Sequence, residues 1–121
     1  MRLHLKKTVM AVCSGAALLL MAGTALAQAF LPALEDVPLM PGLEAVAPVT
    51  AFDTPAGRVV VVHAQGGVTP AAVSAFYDQT LPQLGWRLSP AQSFLREGER
   101  LELTFLGDGD PLVVRYILSP Q

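Results

Sequence analysis

The chain has 121 residues, of which 52% are hydrophobic, and its 10 acidic residues outnumber its 8 basic ones. Three of the basic residues, Arg2, Lys6 and Lys7, lie in the first 27 positions, so the net charge changes from −2 to −5 if this segment is removed. The five remaining basic residues are scattered arginines. This excludes nucleic acid and anionic membranes as expected partners, because both are bound through clustered positive charge.

Residues 1–27 are typical of an export signal. A positively charged start precedes a mostly apolar stretch from Val9 to Leu20, and Ala25-Leu26-Ala27 supplies the small residues that a signal peptidase recognises. We therefore predict a periplasmic protein that is cleaved after Ala27. The alternative is an uncleaved N-terminal anchor, because the apolar stretch approaches the length of about 20 residues that spans a bilayer. Cys13 is the single cysteine, so the mature chain has neither a disulfide nor a thiolate ligand.

Residues 28–55 form a proline-rich, apolar arm. Proline at this density is incompatible with a long helix or a central strand, and Gly42 can take positive φ in a turn at Met40-Pro41-Gly42. One interpretation is an arm that wraps its own domain and covers the second face of a sheet. The other is a docking segment that a partner protein buries. Its candidate partner-binding residues are Val37, Leu39, Met40 and Leu43.

Residues 56–121 contain the signals of a small folded domain. The stretch from Arg58 to Ala64 has four consecutive valines and predicts a strand that is at least partly covered on both faces. Thr69 and Pro70 form a helix start, and Pro82 predicts a helix end near Thr80. Apolar residues recur at helical spacing between these positions. The predicted core anchors are Phe76, Tyr77, Leu81 and Trp86.

The rest of the domain predicts short strands. Gly85 is placed to adopt a left-handed conformation, after which one strand is expected to open at 86–88, to be kinked at Ser89-Pro90 and to resume at 93–96. Two further strands are expected at 100–105 and 112–118, with Pro120 ending the last one. The predicted order is β-α-β-β-β. It corresponds to an α+β two-layer domain with one helix on an antiparallel sheet of about four strands.

No group of residues predicts catalysis, a cofactor or a metal. His63 is the only histidine after residue 27, so no second histidine or cysteine completes a site. Asp108 and Asp110 lack the further oxygen ligands of a calcium loop and predict a hairpin turn. The carboxylates at positions 97, 99 and 102 lie around another turn, where we expect them to be solvated.

The segment from Phe76 to Trp86, FYDQTLPQLGW, matches an F-Y-x-x-x-L-P-x-L-G-W pattern. With the preceding arm from Asp36 to Leu43, it resembles a loose group of small secreted proteobacterial proteins of unknown function. These combine a signal peptide, a Pro-rich arm and a β-meander. The resemblance implies a fold and a compartment, and no catalytic residues.

The sequence predicts a non-enzymatic periplasmic protein-interaction module. Export, the lack of a catalytic group and the apolar arm together favour an accessory subunit of an envelope or membrane-bound complex. The alternative is a carrier of a small apolar ligand, with a pocket between the helix and the sheet.

Overall fold

The computed structural model describes residues 28–90, 93–107 and 109–121. The predicted signal segment, residues 1–27, and Asp108 lie outside the described residues. The elements are β1 (Phe30–Leu31), β2 (Leu34–Pro38), β3 (Glu44–Thr54), β4 (Gly57–Gly66), α1 (Pro70–Thr80), a 3₁₀ turn (Leu81–Leu84), β5 (Arg87–Leu88), β6 (Ser93–Arg96), β7 (Glu99–Leu106) and β8 (Leu112–Pro120).

The strands form a six-stranded antiparallel sheet in the order β3-β4-β8-β7-β6-β5 and a separate two-stranded sheet, β1-β2. The predicted α+β fold with one helix on about four strands is therefore wrong, because the described chain is mostly β. Two errors lowered the predicted strand number. The arm forms three strands, β1, β2 and β3, and the segment around Pro90 separates two strands, β5 and β6.

The arm can become strand because β3 lies at an edge of the sheet. Proline cannot donate to a neighbouring strand, and this loss is tolerated where one side of a strand is unpaired. Pro48 lies at the shift in the register of β3 against β4, between Val46 and Thr50. The prolines exclude a central strand, as expected, but they do not exclude this one.

The β1-β2 hairpin lies on the same side of the six-stranded sheet as α1. The Tyr77 hydroxyl of α1 donates to the Pro38 carbonyl at 2.8 Å and hydrogen-bonds the Tyr116 hydroxyl of β8 at 2.8 Å. Trp86 Nε1 donates to the Asp36 carbonyl at 3.4 Å. The expectation that the arm covers the second face of the sheet is therefore wrong.

Several local predictions are confirmed. Thr69 caps α1 by accepting a hydrogen bond from the Ala72 amide at 3.1 Å, and Pro70 is its first residue. Gly85 adopts φ of 93° after the 3₁₀ turn. Gly42 has φ of 98°, and the Leu43 amide bonds the Met40 carbonyl at 3.0 Å, which closes the predicted turn. The last strand, however, continues through Pro120.

One core lies between the hairpin, α1 and the sheet. It includes Leu31, Leu34 and Val37 from the hairpin, Val73 and Tyr77 from α1, and the inward side chains of β4, β6, β7 and β8. Within the part of the chain that the structure describes, no helix has the length and apolar character needed to cross a membrane.

Candidate functional site

The second face of the six-stranded sheet is the main candidate surface. In β8, Leu112, Val114, Tyr116 and Leu118 are buried, whereas the residues between them are only half-buried, and β4 shows the same alternation. Since successive residues of a strand point to opposite faces, the half-buried ones share the face opposite α1. No helix or strand among the described residues packs on this face. We call it the open face.

The antiparallel register shows which open-face residues are neighbours. One row across the sheet contains Thr50, Val61, Ile117 and Glu102. The next contains Val46, His63, Arg115 and Thr104. A third row, on the other side of the first, has Phe52 and Val59 at one end and Arg100, Leu95 and Arg87 at the other. The face is therefore apolar over β3, β4 and β8 and polar over β7.

Exposed apolar side chains continue along the β3-β4 hairpin. Phe52 is 52% exposed in a regularly paired part of β3, and Val49 is 39% exposed at the irregularity between Val46 and Thr50. The outer edge of β3 also has no strand partner within the described residues. An exposed edge next to an apolar sheet face provides backbone and side-chain groups for contact with another chain.

His63 lies at the centre of this face and contacts an arginine. Arg115 Nε donates to His63 Nε2 at 3.2 Å. Nε2 of the His63 ring is therefore the acceptor in this contact. The structure brings no carboxylate and no second histidine into a hydrogen bond with His63, among the residues that it describes.

The arginines of the two faces have different partners. On the side of α1, Arg58 bonds both carboxylate oxygens of Glu99, at 2.9 and 3.2 Å, and Arg96 pairs with Asp36. On the open face, Arg87, Arg100 and Arg115 have no salt bridge within residues 28–90, 93–107 and 109–121. The hydrogen bond with Glu99 is also the main reason that the pKa of Arg58 is raised.

Arg100 is the most unusual of these arginines. Its Nε is buried and has no hydrogen-bond acceptor among the described residues. Its cross-strand neighbours are Leu95 and Ser119, neither of which carries a charge. Buried donors in proteins are usually satisfied, so this position marks a local cost in the isolated chain.

The predicted partner-binding residues of the arm lie on the covered side instead. Val37 and Leu43 are buried in the core, and Leu39 and Met40 are half-buried and pack against it. None of the four belongs to the open face. Of the predicted core anchors, Tyr77, Leu81 and Trp86 are buried, and Phe76 is half-buried with its ring edge-on to Tyr77.

The Tyr77–Tyr116 pair joins the arm, the helix and the sheet. Burial is the main cause that raises the pKa of each phenol. Hydrogen bonds from Tyr116 and the Met40 amide partly oppose this shift at Tyr77. Both groups are neutral well above pH 7, so they act as a structural hydrogen-bond centre rather than as an acid or base.

A small cleft lies between α1 and the sheet, where the carrier interpretation expects one. It has a volume of about 190 Å³ and is lined by Ser74, Tyr77 and Asp78 of α1 and by Leu88, Phe94, Leu103 and Phe105 of the sheet. Pockets for drug-sized ligands have about 300–1,000 Å³. This cleft therefore fits a molecule of about one aromatic ring, as cavities near 150 Å³ do.

Sequence reasoning did not locate the open face, although a signal was present. Arg100, Glu102 and Thr104 alternate with apolar residues along β7, and this pattern indicates one uncovered face. Among the described residues, no three His, Cys, Asp or Glu side chains are grouped so that they could hold a metal ion. A comparison with protein-family models, curated proteins and solved structures finds no match to this chain.

Proposed function

We propose that this protein is a non-enzymatic, exported interaction module, an accessory subunit of an envelope or membrane-bound complex, that docks through its open face. The observation that carries the proposal is the burial pattern of β4 and β8. Their alternate residues fill the core on one side, while the other side stays partly exposed in the described chain.

The size of the face fits this role. Four strands and about six residues along each give roughly 20 Å by 20 Å, or about 400 Å² in projection. The largest apolar patch on a typical monomer is about 300–600 Å² and is often an interaction site. The apolar part of the open face lies within this area, beside polar residues of β7. The apolar row through Val61 and Ile117, extended by Phe52, supplies the contact area.

Position-resolved photocrosslinking in the native host tests the proposal. A photoreactive phenylalanine replaces Thr104 or Phe52 on the open face, and in the control proteins it replaces Ser74 or Gln79, which are exposed on α1. We expect one discrete heavier adduct from the open-face positions and none from α1. Adducts from α1 alone, or none from any position, would overturn the proposal.

The second candidate function is binding of a small apolar ligand in the cleft beside α1. The apolar lining of this cleft, which includes Leu88, Phe94 and Leu103, favours such a ligand. Native mass spectrometry of the freshly purified protein should then show a bound mass. Leu103→Phe, which fills the cleft, should remove that mass, whereas Leu106→Phe on the other face should retain it. Ligand-free wild-type protein would overturn this candidate.

A further inference from the structure

The charged groups of the chain are divided unequally between the two faces of the sheet. Three of the five arginines after residue 27 lie on the open face, at positions 87, 100 and 115, where the described strands carry only two acidic residues, Glu44 and Glu102. The whole chain after residue 27 nevertheless has a net charge of −5, so its excess of carboxylates lies elsewhere. The open face is the positive side of an acidic protein.

These arginines form no salt bridge within the described chain. Glu102 lies on β7 two residues from Arg100 and diagonally from Arg115, but it makes no salt bridge with either. Arg115 uses its Nε for His63, which leaves both terminal nitrogens of its guanidinium for another acceptor. Arg100 has no charged cross-strand neighbour and a buried Nε without an acceptor among the described residues.

Strand geometry places these arginines beside the apolar centre. Arg115 is opposite Thr104, four residues along β7 from Arg100, so their Cα atoms are roughly 14 Å apart. Arg87 is two strands from Arg100 in the same row, at roughly 10 Å. The row that contains Ile117 and Val61 lies between the row of Arg100 and Arg87 and the row of Arg115.

We propose that the open face binds an acidic amphipathic segment of another protein, whose apolar side chains cover Val61 and Ile117 and whose carboxylates pair with Arg100 and Arg115. This inference rests on the proposed function and specifies the chemistry of the partner. Carboxylates match guanidinium groups in charge and in paired hydrogen-bond geometry. Complementary charge of this kind selects the partner and its orientation.

Two other occupants fit the charges less well. A second copy of this chain would bring the same excess of positive charge against its own open face. An anionic bilayer would attract the three arginines but repel the acidic remainder of the molecule. Both become outcomes of the experiment.

The probes are three designed helical peptides with the same stripe of leucines, flanked by glutamate, glutamine or lysine. The ¹⁵N-labelled protein is produced in its native host, so that any processing by the host has taken place. Each peptide is titrated into it, and changes in the amide chemical shifts of β4, β7 and β8 report binding. We expect the glutamate peptide to bind the open face about tenfold more tightly than the glutamine peptide, because several partly exposed charge pairs each contribute modestly. The lysine peptide should bind most weakly.

The arginine variants identify the source of the preference. Arg100→Gln combined with Arg115→Gln should remove the advantage of glutamate over glutamine, whereas Arg58→Gln on the other face should preserve it. If the double variant does not fold, the salt dependence of peptide binding to the wild-type protein tests the same charge pairs. Raising NaCl from about 50 to about 500 mM should weaken only the glutamate peptide, since screening reduces attraction between exposed charges.

The contrary outcomes are distinct. Equal binding of all three peptides to the open face would overturn the proposal that the partner is acidic. It would still support the proposal that the open face is a docking surface. Failure of every peptide to shift the open face would overturn both proposals. Binding of phosphatidylglycerol vesicles through Arg100 and Arg115, without binding of the glutamate peptide, would overturn the protein partner in favour of a membrane. Concentration-dependent dimerisation that shifts the same amides would overturn it in favour of a second copy.

Discussion

Adjacent residues of β8 have opposite roles. Leu118 and Tyr116 are fully buried against α1 and its neighbours, whereas Ile117, between them, is half-buried on the open face. The covered side combines apolar packing with paired charges such as Arg58–Glu99 and Arg96–Asp36. The open side combines apolar residues with arginines that have no salt bridge within the described chain.

This difference separates stability from binding. A side chain on the covered face contributes to the free energy of unfolding by its burial in the chain itself. One on the open face of β4 or β8 is only partly buried in the free chain, so it contributes less to that free energy and keeps surface for contact with another molecule. Stability measurements and binding measurements should therefore respond to different residues, even where these are neighbours in sequence.

Deletion of residues 28–38 should have the largest effect. It removes Leu31, Leu34 and Val37 from the core, each worth about 1.5–3 kcal/mol of burial. Their sum approaches the total stability of about 5–15 kcal/mol that is common for a domain. We expect loss of cooperative thermal unfolding, measured by circular dichroism. Phe30→Ala, at an exposed position, is the control, and an unchanged melting temperature after the deletion would contradict the covering role of the hairpin.

Leu118→Ala and Ile117→Ala compare the two faces directly. Leu118→Ala should cost about 2–5 kcal/mol, because it empties a buried site. Ile117→Ala should cost about 1 kcal/mol, because its side chain is only partly buried in the free chain. Urea unfolding measures both values. Equal costs would show that the face opposite α1 is covered in solution, and Ile117→Ala should also reduce crosslinking from position 104.

Alkaline pH should destabilise the covered face through Tyr77 and Tyr116. Burial raises both pKa values in the folded protein, so the unfolded chain releases these protons first. Stability is retained below about pH 10 and falls above it by up to about 1.4 kcal/mol per pH unit for each tyrosine. These are the only tyrosines, so absorbance near 295 nm reports them alone.

Tyr116→Phe provides the control for this pH dependence. It should reduce the slope of unfolding free energy against pH by about half, because one of two groups no longer titrates. Tyrosinate absorbance in wild-type protein should rise together with unfolding. A rise near pH 10 in protein that is still folded would contradict the burial of the pair.

Removal of single arginines should have the smallest effects on stability. Arg58→Gln breaks a partly exposed pair with Glu99 and should cost about 0.2–1 kcal/mol. Arg100→Gln should change stability by no more than about 0.5 kcal/mol, because no salt bridge is lost in the described chain. Urea unfolding at low salt measures both. A larger loss for Arg100→Gln would assign it a structural role instead.

Local chemistry explains which parts of the fold could be predicted. Thr69, Pro70 and Gly85 act on the backbone within a few residues, so their effects are visible in sequence alone. The alternation in β7 and β8 likewise follows from strand geometry.

The coverage of each face could not be predicted in this way. The apolar residues of the arm require a partner surface, but their sequence contains no information about which face of the sheet receives them. The choice depends on long-range contacts, including the bond between Tyr77 and Pro38 across 39 residues of chain. An arm that covers the second face would leave no binding surface there. The expectation that it does so therefore hid the meaning of the polar alternation on that face.

The position of β8 also determines how the sheet can assemble. Among the described strands it is the last in sequence, yet it lies between β4 and β7. The β3-β4 hairpin and the β5-β6-β7 meander can each form locally, but they share no strand pairing until β8 enters between them. Synthesis must therefore deliver residues 112–120 before the sheet exists as one unit. A ribosome that still holds this strand keeps the two halves of the sheet apart.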